Sequence, residues 1–321
     1  MRALYCDPPG VILKDVPEAE GMVNNEPVVE VCCTGICRTD LELTRGYMDF
    51  KGILGHEFVG RVLSETNSIP QGTRVVGEIN AGCGECAMCR KNLQRHCQNR
   101  TVLGILNRNG CMAERVSLPE QNLLPVPDTV PDERAVFSEP LAAALEIFEQ
   151  IHIPPDLRVC IIGDGKLGLL IAMTFAFKHE GETTLIGHHQ QKLDVVSDLV
   201  QVRMESEISA AEQKQWDIVV EATGNSGGLA LAMQLVRPRG VICLKSTMAQ
   251  AEALDLTPLV IDEIQVVGSR CGQLASALRF LERHPVPVER LIDGVYSMAD
   301  AEKAWEHAQR RGAKKILLKM E

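Results

Sequence analysis

Long hydrophobic runs are missing from this chain. Nowhere do its 321 residues stay apolar for the roughly 20 positions that a membrane-crossing helix needs, which excludes a helical span. An excess of basic charge is missing too: 33 Lys and Arg stand against 43 Asp and Glu, a net charge of -10. A surface of that sign suits neither nucleic acid nor an anionic membrane as the main partner. The opening residues, MRALYCDPPG, lack the basic-then-apolar pattern of a secretory leader. There are no internal repeats and no low-complexity tract. What remains, 45% hydrophobic and 24% charged residues, describes an ordinary globular chain long enough for two domains. Twelve cysteines without a leader point to a reducing, cytoplasmic setting, where thiols serve metals or packing.

Four of those cysteines, Cys83, Cys86, Cys89 and Cys97, follow the spacing C-x2-C-x2-C-x7-C. Four thiolates in one short loop satisfy tetrahedral zinc and leave no open position, so they predict a structural zinc lobe. The plainer alternative, a disulfide framework, belongs to short secreted chains. Cys6, Cys32, Cys33, Cys111, Cys160, Cys243 and Cys271 read as small apolar packing residues.

The texture of the chain changes along its length. Short apolar strands at 28–33, 58–63 and 73–77 are broken by Gly, Pro and Asn, and a Pro-rich connection covers 125–131. Helical spacing follows at 139–151, then strand and helix alternate. Strands are expected at 158–163, 183–187, 217–221, 240–244 and 264–268, and helices at 166–179, 190–200 and 227–236. That alternation predicts a doubly wound parallel sheet. The tail carries a helix at 298–310 and a last strand at 315–319.

Gly163, Asp164, Gly165, Lys166, Leu167 and Gly168 form a GxGxxG between the strand RVCIIG and the helix KLGLLIAMTFAF. In that context it predicts a dinucleotide loop. Its first Gly permits the tight turn, its second lets backbone approach a pyrophosphate, and its third lets helix pack on strand. The helix start adds amide donors and a positive dipole end.

Two other segments carry metal chemistry, Gly35–Asp40 (GICRTD) and Gly55–Gly60 (GHEFVG). One Cys (Cys37), one His (His56) and a carboxylate (Glu57) leave a zinc with room for water or substrate, where it acts as a Lewis acid. Glu139, followed by Pro140, offers another carboxylate. Singly, His56 reads as a structural histidine, Cys37 as a buried thiol and Glu139 as an ordinary helix start. Their company with the four-cysteine lobe and the glycine loop favours the metal.

On GICRTD, GHEFVG, the four-cysteine lobe, EPLAAAL, the GxGxxG helix, EATG at 221–224 and VVGSRCG at 266–272, the chain resembles the medium-chain dehydrogenase/reductase family in its zinc-dependent alcohol dehydrogenase branch. The resemblance covers nearly the whole chain. It implies an α/β protein with a GroES-like, β-rich catalytic domain at 1–137, a Rossmann domain at 138–271 and a return to the catalytic domain at 272–321. Cys37 and His56 would be catalytic zinc ligands, with Glu57 or Glu139 completing the set directly or through water, as in the polyol- and threonine-dehydrogenase-like members that carry EP. Thr39 would bond the reacting oxygen and pass its proton on, and Asp40 would fix ligands and loop. Thr223, Lys245, Ser246 and Arg270 would join Gly163, Gly165, Lys166, Leu167 and Gly168 around the dinucleotide. Many relatives carry His five residues after the ligand Cys; Glu42 stands there here. The segment between Cys37 and His56 is short for the family, which implies a trimmed loop at 46–53 and a more open cleft.

These features imply hydride transfer between a small alcohol or carbonyl substrate and NAD(P)(H), in a homodimer or homotetramer. The competing readings are an NADPH-dependent aldehyde or ketone reductase, and a nucleotide-binding regulatory or structural protein that keeps the fold without turnover. In NAD-preferring relatives the second strand ends in an acid that bonds the adenosine ribose. Here Gly187, His188, His189 and Lys192 stand instead, a set without a carboxylate and with bases for a 2′-phosphate, so NADP(H) is expected over NAD(H).

Overall fold

The computed structural model describes residues 1–18, 25–209, 212–247 and 255–320. The chain divides into two compact units, one of Met1–Glu139, Leu274–Arg283 and Leu291–Glu321, the other of Pro140–Gln273 and His284–Arg290. None of the described helices is long and apolar enough to cross a membrane.

The first unit opens with a hairpin, β1 (Arg2–Asp7) and β2 (Gly10–Asp15), turned by Pro8 and Pro9. Mixed polarity hides both strands from the sequence pattern. Next come β3 (Val28–Ile36), a short helix α1 (Arg38–Leu43), β4 (Gly52–Ile53), β5 (Phe58–Val62) and β6 (Arg74–Gly77). Between Gly46 and Phe50 the backbone makes one tight turn, with Met48 and Asp49 at positive φ. Small strands β7 (Asn80–Ala81) and β8 (Thr101–Val102) flank the cysteine loop, followed by β9 (Arg115–Ser117), β10 (Leu123–Pro125) and helix α2 (Asp132–Ala135).

In the second unit most of α3 (Ser138–Gln150) leads to β11 (Val159–Ile162), α4 (Lys166–Lys178), β12 (Thr183–Gly187), α5 (Gln190–Leu193), β13 (Gln201–Met204), β14 (Trp216–Glu221), α6 (Ser226–Leu235), β15 (Val236–Leu244), α7 (Thr257–Ile261) and β16 (Gln265–Gly268). The sheet order is β13-β12-β11-β14-β15-β16, with every pairing parallel. Strand order therefore reverses between β11 and β14, and the carboxyl ends of those two strands form the crevice where doubly wound sheets bind ligands. Gly168 through Phe175 are buried without a break, which makes α4 a core helix, apolar all round. Ile162, Ile186, Val219 and Ile242 pack together with Trp216 and Leu235 from the elements around them. The helix expected over 190–200 stops at Leu193, because Val195, Val196 and Val200 are β-branched and Asp194, Ser197 and Asp198 compete for backbone bonds; Ser197 Oγ donates to Asp194 O at 3.1 Å.

The chain returns to the first unit through α8 (Leu274–Arg283), β17 (Ile292–Ser297), α9 (Ala301–Gln309) and β18 (Lys315–Lys319). The helix expected from Met298 begins instead at Ala301, after one 3-10 turn. Strands β10-β6-β5-β3-β18-β17 form one sheet, with β9 also paired to β3. Leu4, Ile36, Leu54, Met112, Trp305, Ile316 and Leu318 share its core. Burying each such side chain contributes roughly 1.5–3 kcal/mol. The antiparallel register sets Ile316 opposite Ile36, so the last strand of the chain lies beside the segment that ends in Cys37.

Candidate active site

Cys37 follows β3 directly and caps α1. Its backbone N–H donates to Asp40 Oδ2 at 2.8 Å, while Asp40 Oδ1 accepts from Gly55 N at 3.2 Å and stands 3.3 Å from His56 Nδ1. One fully buried carboxylate thus ties the start of α1 to the loop at Gly55 and stands beside the imidazole. Ligand atoms of Cys37, His56 and Glu57 all lie within 4.8 Å of one another. Burial works to lower the His56 pKa, but the Asp40 carboxylate and the Cys37 sulfur outweigh it and hold the ring well above its ordinary value.

Glu57 is buried against Lys315 of β18, whose Nζ donates to Oε2 at 2.5 Å. Its other oxygen, Oε1, is buried without a partner. Glu139 is not one of the clustered three, yet burial pushes its carboxyl up to about 7, with His56 pulling down and Glu57 and Glu78 pushing up. Thr39 Oγ1 lies 3.9 Å from Cys37 Sγ. Glu42, partly exposed, pairs with Arg38 of α1 at 3.6 Å and with Arg45 just beyond it at 3.1 Å. Soft sulfur, imidazole and carboxylate, with a buried carboxylate oxygen that has no hydrogen-bond partner among the described residues, fit an open zinc site.

Cys83, Cys86, Cys89 and Cys97 converge as expected, their sulfurs within 4.8 Å. The backbone N–H of Cys89 does most to bring the Cys86 thiol down to about 7, whereas burial pushes Cys89 up to about 11. All twelve cysteines are free thiols. Four thiolates so placed fit a closed zinc site.

In the second unit the glycine loop follows β11, and Thr223 follows β14, at the crevice. A Cβ on Gly168 would come within 1.9 Å of Gly163 O, so only glycine lets α4 start there; at Gly165 a Cβ would meet nothing within 4 Å, which leaves open space for a phosphate to approach backbone. Thr223 Oγ1 donates to Glu221 Oε1 at 2.6 Å, and Ser246 Oγ accepts from Gly224 N at 2.7 Å. Lys245 Nζ donates to Ala143 O, Ser269 Oγ and Arg270 O at 2.7–3.0 Å, so its charge also fastens the fold. Lys166 and Leu167 are half-buried in the first turn of α4, and Arg270 is exposed after β16.

The end of β12 differs from expectation. The sequence puts no acid after this strand, but the Asp164 carboxylate reaches it from the glycine loop. Asp164 Oδ2 accepts from His188 N at 2.9 Å and His189 N at 2.7 Å, and lies 2.9 Å from His189 Nδ1. His188 Nε2 pairs with Glu205 at 3.1 Å. The bases of this segment therefore already face carboxylates. Sequence reasoning missed both Asp164 and Lys315 as site residues. The middle position of a GxG is ordinarily unspecified, and a lysine in a C-terminal strand carries no local sign of its partner.

Residues 24–128 match the family described as Alcohol dehydrogenase GroES-like domain, and residues 139–317 match Glucose dehydrogenase C-terminus. The chain is 25% identical to D-arabinitol dehydrogenase 1 of Uromyces fabae, over 99% of this chain and 97% of that protein. The structure resembles alcohol dehydrogenase TADH from Thermus sp. ATN1, with a TM-score of 0.90, 25% identity and 99% of each chain covered. It also resembles galactitol-1-phosphate dehydrogenase from Escherichia coli, with a TM-score of 0.90, 23% identity and 99% of each chain covered.

Proposed function

This chain belongs to the zinc-dependent alcohol dehydrogenase branch of the medium-chain dehydrogenase/reductase family, and we propose that it interconverts a secondary hydroxyl of a small polyol and the matching ketone. It is an oxidoreductase that uses zinc and a nicotinamide dinucleotide. The observation that carries the site assignment is the convergence of Cys37, His56 and Glu57 within 4.8 Å.

Cys37 and His56 would hold the catalytic zinc, and Glu57 or Glu139 would complete the set. Zinc held there would supply Lewis acidity toward the substrate oxygen, the chemistry that a hydride exchange with a nicotinamide needs. Asp40 keeps the His56 ring oriented. Lys315 draws one oxygen of Glu57 toward β18 and leaves the other free. Thr39 bonds the reacting hydroxyl and takes its proton onward. Glu42, held between two arginines, is a surface charge of α1 rather than a relay. The four-cysteine loop holds a second, structural zinc. Free thiols throughout suit a reducing cytoplasm. The NADP(H) preference expected from the sequence loses its ground, because the bases after β12 already face Asp164 and Glu205.

Metal content and turnover test this reading together. Wild type should hold about two zinc ions per chain and oxidise polyols. Cys37→Ser should keep its fold and the structural zinc but lose turnover. Cys89→Ser should lose melting temperature or soluble yield, because a closed zinc site contributes folding free energy. An unfolded Cys37→Ser beside an unaffected Cys89→Ser would reverse the two assignments; absence of turnover on any polyol, alcohol or ketone would remove the enzyme reading.

A further inference from the structure

We infer that Asp164, reaching from the glycine loop to the end of β12, is the residue that selects the nicotinamide cofactor, and that it selects NAD(H). The inference rests on the dehydrogenase reading and deepens it. In doubly wound dinucleotide folds, an acid at the end of the second strand accepts a hydrogen bond from the adenosine ribose 2′-hydroxyl. This chain has Gly187 at that strand end, and a Cβ there would come within 2.6 Å of Asp164 Cβ and 2.9 Å of Oδ2. Gly187 thus makes the room that the incoming carboxylate fills.

The two oxygens of Asp164 are used differently. Oδ2 takes the backbone N–H groups of His188 and His189 and faces the His189 ring, which anchors the carboxylate. Among the described residues Oδ1 accepts no hydrogen bond, and the Lys192 ammonium stands 3.9 Å from it. Nor is Oδ1 one of the sealed atoms without a partner, so it remains open to a donor. Burial works to raise the pKa, but the His189 ring, the two amides and Lys192 outweigh it and keep the group ionised. An anchored carboxylate with one free oxygen accepts a ribose hydroxyl and repels a 2′-phosphate. The phosphate would also find its cations engaged, with His189 and Lys192 on Asp164 and His188 on Glu205.

The test is equilibrium binding of NADH and NADPH, read by nicotinamide fluorescence or calorimetry, which needs no substrate. Wild type should bind NADH more tightly than NADPH. Asp164→Asn should narrow that ratio by about tenfold or more, since a charge-assisted hydrogen bond and a like-charge repulsion are removed together. Wild-type preference for NADPH, or a ratio that moves less than about twofold in a folded Asp164→Asn, overturns the proposal. If Asp164→Asn does not fold, Lys192→Met decides: losing the nearby cation should widen the ratio against NADPH, and an unchanged or narrowed ratio overturns the inference. Failure of wild type to bind either cofactor is a separate result, and brings down the dehydrogenase reading itself.

Discussion

Thr39 and Lys315 are the residues whose replacement says most about the site. Thr39 Oγ1 sits 3.9 Å from the Cys37 sulfur and is half-buried. Thr39→Val keeps the shape and removes the hydroxyl, so kcat should fall by roughly 10²–10⁴-fold, the range for a positioned proton-transfer group. Glu42→Gln should change kcat no more than a few-fold, because its carboxylate is engaged by Arg38 and Arg45. A normal kcat in Thr39→Val would remove the relay. Lys315 has a different effect. Its ammonium and Glu57 form a buried pair, so Lys315→Met leaves a buried carboxylate without its cation. Thermal or denaturant unfolding should show a loss of about 3–5 kcal/mol, largely restored when Glu57→Gln is added. If the double variant is no better than the single one, the pair is not the source of the loss.

Among the elements, the turn at 66–69 gives the clearest pH signature. Glu120 accepts from Ser68 Oγ and from the backbone N–H groups of Ser68 and Asn67. The Ser68 hydroxyl leads these contacts in bringing the carboxyl from 4.5 to about 2. The folded state therefore binds this proton more weakly than the unfolded chain. Its stabilisation is complete above about 4.5 and is lost as pH falls toward about 2. Glu120→Gln should lower the melting temperature at pH 7, and the gap to wild type should close as the medium is acidified through that window. A gap that stays constant would show that the charge of Glu120 is not what holds the turn. The core elements were legible in the sequence because each carries its own pattern: β12 as a buried apolar run, and α4 as an apolar helix opened by glycines. Strands β1 and β2 were not, since each is a short apolar run with charged residues at one or both ends (RALYCD and GVILKD) and forms a strand only once paired. The helix expected after residue 193 failed on its β-branched composition.

At the scale of the whole molecule, β16 is an edge of the six-stranded sheet. Val266 on that strand is 40% exposed, and Val260 and Ile261 on the neighbouring α7 are 78% and 73% exposed. Among the described residues no strand pairs with the outer edge of β16, and an unpaired edge with exposed apolar side chains is a template for association, two-fold pairing being the commonest closed solution. Light scattering should report a homo-oligomer for wild type, and Val266→Lys should shift it toward monomer. A wild type that is monomeric at micromolar concentration would contradict this.

The sequence by itself determined what is local: the four-cysteine loop, the glycine loop between β11 and α4, and the ligand types at Cys37, His56 and Glu57. The two loops are short runs whose spacing points to their chemistry, and the company of those loops is what singles out the three ligand types. Tertiary structure decided the rest. Glu57 and Lys315 are 258 residues apart, and they meet because β18 pairs antiparallel with β3. Asp164 and His189 are 25 residues apart, and they meet because β11 and β12 pair in parallel and bring both strand ends to one edge. Glu42 lies near Cys37 in sequence, but the turn of α1 directs it to Arg38 and Arg45. Spacing shows which groups are available; strand register and helix phase decide which of them face one another.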